Sequence, residues 1–343
     1  MAVADGLKSV EVKGAAILVT DLDGQPVLQA RPTTVRLTLG NGGVGVDGRR
    51  LAAARLTPFG VGTLKLNGRE YPGTLDVLKN GEGLVVVNEL PFEDYVAGAL
   101  QAEASDKWPS EMLKAQAIVV RTYAAYHRQL NAAKPFHILA STANQQYAGR
   151  VAEASPIWEA VRDTEGQILL WGGQLFPSFY HTDSGGHTED PRLVFAARNM
   201  PALRAVRSEF SGDSPYFVWN LSIPIGQLSE LLRRGGVQVG TVTRLEVVER
   251  SRSLRVLRLT VHGTRGRGQL SGADFRRIVG YDMLKSTLFA VAVDGQYARF
   301  AGRGYGHGVG LDQWGAKAMA EQGYSAGQIL EYYYPGSALA TLR

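Results

Sequence analysis

Leu90-Pro91-Phe92-Glu93-Asp94-Tyr95-Val96-Ala97-Gly98-Ala99-Leu100-Gln101-Ala102-Glu103 is the stretch where the chain changes character. Before it, residues 8–88 are short alternating runs (10–12, 16–20, 35–39, 62–66 and 84–87) separated by Asp23-Gly24, Asn41-Gly42 and Asn80-Gly81 turns. That spacing predicts strands. After it the period is helical. Pro91 suits a first helical turn, and Glu93 and Asp94 suit the positive end of the helix. The helix is expected to run to Glu103. A second, alanine-rich helix is expected from Pro109-Ser110-Glu111 to Leu130.

Further on, 154–163 predicts a short helix. A hairpin follows, with strands 167–171 and 174–181 around Gly172-Gly173. Residues 216–300 return to strands, with helices near 226–234 and 272–279. The tail predicts a helix from Gln313 to about Gln322 and another over 325–333. The expected class is α+β: a few helices packed on antiparallel sheets around a cleft. Its parts are a β-rich region 1–88 and a core 89–343. The core is built from 89–215 and 301–343, with 216–300 as a strand-rich insertion or second lobe.

Composition sets limits. With 343 residues, two domains or one large one fit a guide of about 150 residues each. No apolar run approaches the roughly 20 residues of a membrane span. The cysteine count of 0 excludes disulfides, thiol catalysis and cysteine-ligated zinc. No secretion signal is visible. The net charge of +5 favours acidic partners. Arginines are scattered apart from Arg252, Arg255, Arg258, Arg265 and Arg267, for which solvated hairpin decoration is the favoured reading. Without an arginine–lysine cluster interleaved with aromatics, nucleic acid is not an expected partner.

Three constellations carry chemistry. In the first, Glu103 continues the apolar stripe of Phe92, Val96 and Ala99, beside a helix carboxyl end. Both conditions raise a carboxyl pKa, as an acid catalyst of glycosidic cleavage requires. On spacing alone a solvated helix-end glutamate fits better. The second runs from His181 to Glu189 through Asp183, Ser184, Gly185, Gly186 and His187. A carbohydrate-lining loop beside Phe179 and Tyr180 ranks first, a metal site second and a hydrolase triad third. The third is Gly302-Arg303-Gly304-Tyr305-Gly306-His307-Gly308-Val309-Gly310-Leu311. As a strand it would present one bare face against something flat, and Arg303, Tyr305 and His307 on the other. Gln313 and Trp314 follow. Neither a phosphate loop nor a dinucleotide fingerprint is present.

These residues resemble the SpoIID family, which includes amidase-enhancer-type proteins. The resemblance lies in five blocks in the family's order. Tyr71-Pro72-Gly73-Thr74-Leu75 with Val86–Leu90 comes first, then Pro91–Glu103, then Pro109–Tyr123. Asn144–Gly149 with Tyr180–Glu189 follows, and Gly302–Ala316 with Tyr332–Gly336 closes. The resemblance implies a peptidoglycan lytic transglycosylase with Glu103 as its catalytic residue. The implied substrate is glycan strands, in the best-known case free of stem peptides. Glu103 would protonate the oxygen between N-acetylmuramic acid and N-acetylglucosamine, then act as base on the C6 hydroxyl, leaving a 1,6-anhydro end.

The implied location is extracytoplasmic. Substrate contacts are expected from Gln116, Arg121, Gln145, Tyr147, Tyr180, His181, Ser184, Gly185, Gly186, Arg303, Tyr305, His307, Gln313 and Trp314. For Arg121 a packing salt bridge competes; Gln116, Gln145 and Tyr147 could instead satisfy the core. His137 stands where some members have a zinc-binding histidine, but Asn144 and Ser184 stand where cysteine can occur. No metal or cofactor is expected. Ala104-Ser105 departs from the family's Met-Pro after the glutamate, so the loop entering the second helix is expected to be altered. A non-catalytic glycan-binding modulator of a cell-wall amidase is the alternative function.

Overall fold

The computed structural model describes residues 1–141, 144–195 and 200–342. The protein is α+β, and its chain forms two compact units. One holds residues 1–168 and the stretch from Thr341; the other holds Leu169–Ala340.

The first unit opens with two antiparallel sheets. One orders Ala2–Leu7, Gly83–Glu89, Thr74–Asn80, Ala53–Pro58 and Ile17–Thr20. The other orders Arg49–Leu51, Gly43–Val46, Thr34–Gly40, Ser9–Lys13, Leu64–Leu66 and Arg69–Tyr71. Strand Ser9–Lys13 buries Val10 and Val12 and exposes the residues between them, the period-two pattern of a one-sided sheet.

Three helices share this unit: α1 (Phe92–Glu103), α2 (Ser110–Leu130) and α3 (Pro156–Asp163). Pro91 precedes α1, and Glu93 and Asp94 sit in its first turn. The helix ends where Ala104 turns extended and donates its N–H to the Leu100 carbonyl at 2.9 Å. The Ser105 carbonyl then accepts from Trp108 N at 3.1 Å, forming the turn into α2. Ser155 caps α3, accepting from Ile157 N, with Pro156 as its first residue.

Arg121 ties the three helices together. It lies on α2 with 0% exposure. It donates to Glu93 of α1 (Nε to Oε1 2.9 Å, Nη2 to Oε2 2.6 Å), to the Val161 carbonyl of α3 (3.4 Å) and to the Gln167 carbonyl (3.1 Å). A buried guanidinium needs such a full set of partners.

In the second unit, Trp219–Pro224, Tyr297–Gly302 and Phe289–Val293 form one antiparallel sheet with Tyr297–Gly302 central. Val242–Arg250, Val256–Gly263 and Gly266–Ser271 form another. Helices Ile225–Arg234 and Gly272–Val279 pack with them. Trp219, Leu228, Leu259, Phe275, Phe289 and Phe300 share one apolar core, whose members all fall within residues 219–300. The tail contributes helices Gln313–Glu321 and Ala326–Tyr333.

Three local expectations are corrected in this unit. The glycine-alternating stretch is not a strand beyond Gly302. Gly304, Gly306, Gly308 and Gly310 all have positive φ, from 73° to 117°, which breaks the extended repeat and produces loops. The bare faces also meet protein, not an open surface. A Cβ on Gly308 would lie 2.6 Å from the Arg255 guanidinium carbon, and one on Gly310 would overlap the Phe179 carbonyl.

The hairpin at Gly172-Gly173 closes over the single Trp171–Gln174 bridge; the next strand there is only Tyr180–His181. Finally, Arg258, Arg265 and Arg267 are exposed as expected for decoration. Arg255 is not: it is 1% exposed and donates to the Ser184 carbonyl at 2.7 Å.

Candidate functional site

Glu103 is the last residue of α1 and is partly buried. Its Oε1 accepts the backbone N–H of Gln146 at 3.0 Å. The segment carrying that N–H is fixed along the helix. Ala148 N donates to the Gly98 carbonyl at 2.9 Å, and the Tyr147 ring lies directly over Gly98, where any Cβ would overlap it. Arg69 donates to the Tyr147 carbonyl, and Arg150 N to the Glu70 carbonyl at 2.9 Å. The glutamate is thus oriented by a loop clamped between α1 and the strand Arg69–Tyr71.

Aromatic rings stand behind this clamp. Tyr95 and Tyr147 stack at 5.9 Å between centroids with planes 5° apart, and Tyr147 and Tyr71 stack at 6.2 Å. Tyr95 donates to Gln145 Oε1 at 2.7 Å. Burial, with the neighbouring Tyr123 and Glu103, holds the Tyr95 phenol well above its ordinary pKa, so it remains a donor. Gln145 and Tyr147 are buried at 1% and 2% exposure. Gln145 therefore meets Tyr95, and Tyr147 the ring stack, rather than an open surface. Gln116 is fully buried on α2, and its amide atoms have no hydrogen-bond partner among the described residues. Arg121 is occupied by the helix tie.

The Asn144 side chain is held at both ends: its Oδ1 accepts from Leu139 N at 3.0 Å and its Nδ2 donates to the Tyr123 hydroxyl at 3.2 Å. His137 lines a cavity of about 470 Å³ with Phe92, Tyr95, Arg128 and Phe136.

The second unit gathers the remaining candidates around a parallel pairing of Tyr180–His181 with Leu311–Asp312. His181 Nδ1 lies 3.1 Å from the Val309 carbonyl, and His307 Nδ1 accepts from Val309 N at 3.0 Å. The two imidazoles are 5.5 Å apart. Burial, with Arg255 nearby, depresses His181 to about 3; burial and His181 push His307 down as well. Both rings are neutral at neutral pH.

Asp312 accepts from Ser184 N, Ser208 Oγ, Ser211 Oγ and Gly315 N at 2.9 to 3.1 Å, so it also caps the helix beginning at Gln313. Asp183 Oδ1 accepts from Gly185 N at 2.7 Å; burial and Asp312 raise its carboxyl to about 6. Gly186 N donates to Ser184 Oγ at 3.2 Å.

Tyr305 pairs by backbone with Asp183 and donates its hydroxyl to Asp282 at 3.2 Å; Lys285 lies 5.0 Å over its ring. Trp314 N donates to the Thr182 carbonyl, and Lys317 lies 5.2 Å over the indole. Gln313 is 4% exposed, whereas Arg303 is exposed.

Sequence reasoning therefore assembles Glu103 with Gln145 and Tyr147, and a second group around His181, Ser184, Tyr305 and His307. It missed Tyr71, Tyr95 and the Gln146 N–H. No spacing signals a stack of three tyrosines so far apart in the chain. It singled out Asp183 and Ser184 but missed the buried cluster in which Asp312 accepts from Ser184 N, Ser208 and Ser211, of which Asp312 before a helix was a sign.

Comparison with known proteins adds the following. A family profile described as Stage II sporulation protein, SpoIID, matches residues 80–171. A domain of unknown function, DUF8618, matches residues 196–310. The chain is 31% identical over 272 residues to an uncharacterized protein of Brachyspira hyodysenteriae, covering 79% of this chain and 72% of that protein. It is 27% identical over 270 residues to Stage II sporulation protein D of Bacillus subtilis, covering 74% and 76%. It is 26% identical over 328 residues to an Amidase enhancer of Bacillus subtilis, covering 81% of this chain and 45% of that protein.

Proposed function

The chain belongs to the SpoIID family, and from that premise we propose that it is a lytic transglycosylase of peptidoglycan glycan strands acting through Glu103. The observation that carries this reading is the fixed carboxylate: Glu103 at the end of α1, held at 3.0 Å by the Gln146 N–H. A group that must deliver a proton and then remove one gains most from fixed geometry.

In the first half-reaction Glu103 protonates the bridging oxygen, and the bond from muramic C1 to that oxygen breaks. In the second, the resulting carboxylate takes the proton of the C6 hydroxyl as its oxygen bonds to C1. The glutamate returns to its acid form and no water is consumed. Tyr180, Tyr305, His307 and Trp314 are proposed to contact the glycan, since neutral rings and half-exposed aromatics suit sugar faces. The basic protein suits a strand bearing muramic carboxylates.

A wall substrate implies an extracytoplasmic location. Among the described residues no helix is long and apolar enough to cross a membrane. Residues 216–300, with an apolar core of their own, are read as an inserted lobe. The name of the Amidase enhancer relative favours a second reading, a glycan-binding partner of a wall amidase. The test incubates purified strands with the protein and with Glu103→Gln. Anhydro-muramic ends from the wild type alone support catalysis. Strands bound by both but cut by neither would leave only the second reading.

A further inference from the structure

Leu254 is a leucine in a place that favours glycine or asparagine. It lies in the turn between strands Val242–Arg250 and Val256–Gly263, with φ at 66°, in the left-handed region. Among the described residues only two other non-glycine residues go there, Asp47 and Asn67, whose short polar side chains tolerate it. Leucine does not. Hydrogen bonds hold it in place. Leu254 N donates to the Ser251 carbonyl at 3.0 Å, Ser251 N to the Arg255 carbonyl at 2.9 Å, and Arg250 Nη1 to the Leu254 carbonyl at 2.7 Å. Its side chain gains little burial in return, since the residue is 63% exposed. A strained apolar residue, fixed and displayed to water, is not explained by packing.

Leu254 is not alone. It lines a concavity of about 680 Å³ together with Leu288 and with Val218, itself 60% exposed. Arg250, Arg252 and Arg303 line the same concavity, and no carboxylate is among its described lining residues. The surrounding lobe is basic. Residues 216–300 carry 13 arginines and lysines against 6 acids, a net +7 in a chain whose total is +5, so the remainder is net acidic.

Aliphatic side chains in water beside guanidinium groups match a ligand that is anionic and apolar at once. Guanidinium groups grip phosphate through paired N–H donors. Aliphatic side chains enter the boundary between headgroups and acyl chains. We propose that this concavity docks the lobe on an anionic lipid surface, with a headgroup phosphate among the three arginines and Leu254 and Val218 reaching the acyl chains. A soluble phosphodiester polymer would satisfy the arginines but leave both aliphatic side chains in water. The site is independent of Glu103 and does not rest on the glycan reading.

The test sediments full-length protein with vesicles of phosphatidylcholine alone, or of phosphatidylcholine mixed with phosphatidylglycerol. Partition onto the mixed vesicles should be roughly tenfold or more stronger, and should fall with added salt. Arg252→Gln combined with Arg303→Gln should reduce that preference to about one. If the pair unfolds the protein, Arg252→Gln alone, at an exposed position, should still lower it several-fold. The same charge removed by Arg265→Gln with Arg267→Gln, exposed outside the concavity, should leave most of it. Leu254→Asn separates docking from folding. Asparagine accepts the left-handed backbone, so the thermal midpoint should hold or rise while partition falls several-fold. A leucine with only a structural role would show a lower midpoint and unchanged partition.

The assignment falls if phosphatidylglycerol brings no preference, or if the Arg265 and Arg267 pair costs as much as the Arg252 and Arg303 pair. It also falls if Leu254→Asn partitions as the wild type does. Poly(glycerol phosphate) bound in solution as tightly as the vesicles, regardless of Leu254, would make the ligand a phosphodiester polymer and overturn it too. Glu103→Gln should bind vesicles as the wild type does, so loss of the transglycosylase reading would leave this site standing, and the reverse.

Discussion

Glu103 illustrates how little one side chain reveals in sequence. Its place on a helical stripe was legible, and so was its position at a helix end. What fixes it, a backbone N–H 43 residues later in the chain, belongs to no pattern. Glu103→Gln keeps the size and the hydrogen-bonding shape but removes the transferable proton. The expected result is a loss of roughly a thousandfold or more in product formation, with strand binding retained, measured by product yield and sedimentation of bound strands. The histidine pair makes a separate prediction. His181 and His307 have folded pKa values below the ordinary 6.5, so on acidification through pH 6.5 the unfolded chain takes up protons at these rings that the folded one does not. Asp183, raised to about 6, opposes this between pH 6 and about 4, where the folded state keeps one proton that the unfolded chain releases. Through that range the contributions of His181 and Asp183 largely offset each other, and the lowered His307 tips the balance, so stability should fall on acidification from pH 6.5. Denaturant titrations at pH 6.5 and pH 5 check it; equal stability at both would refute the assignment of neutral buried rings.

At the scale of elements, the helices were the most legible part. Proline before α1, acids in its first turn and an alanine-rich α2 placed both helices to within about a residue, because these signals are local. The glycine-alternating stretch failed for the opposite reason. Its periodicity is local, but each glycine answers to a partner far off in the chain, such as Arg255 under Gly308. Gly98 makes the same point inside α1. Alanine there gains about 1 kcal/mol in helix propensity, but its methyl group overlaps the Tyr147 ring, and overpacking costs about 1–3 kcal/mol. Gly98→Ala should lower the thermal midpoint slightly and reduce activity more strongly, because the displaced loop carries the Gln146 N–H; full activity would show that this clamp does not position Glu103. The Arg121 tie predicts a larger effect. Glu93→Gln leaves a fully buried guanidinium without its counter-charge. With Glu93 itself about a quarter exposed, the cost should fall near the lower end of the 3–5 kcal/mol range, about 3 kcal/mol. Thermal unfolding reads this directly, and an unchanged midpoint would mean that the carbonyls alone suffice.

For the whole molecule, the α+β class and the family followed from several motifs in one order, each weak by itself. The path of the chain into two compact units did not follow, since turn and strand signals do not say which sheets share a core. The central claim, that one fixed glutamate cleaves the strand without water, is tested most directly by running the wild-type reaction in heavy-oxygen water and analysing the new ends by mass spectrometry. The account predicts anhydro-muramic ends carrying no heavy oxygen. Reducing muramic ends that carry heavy oxygen would show hydrolysis and contradict it.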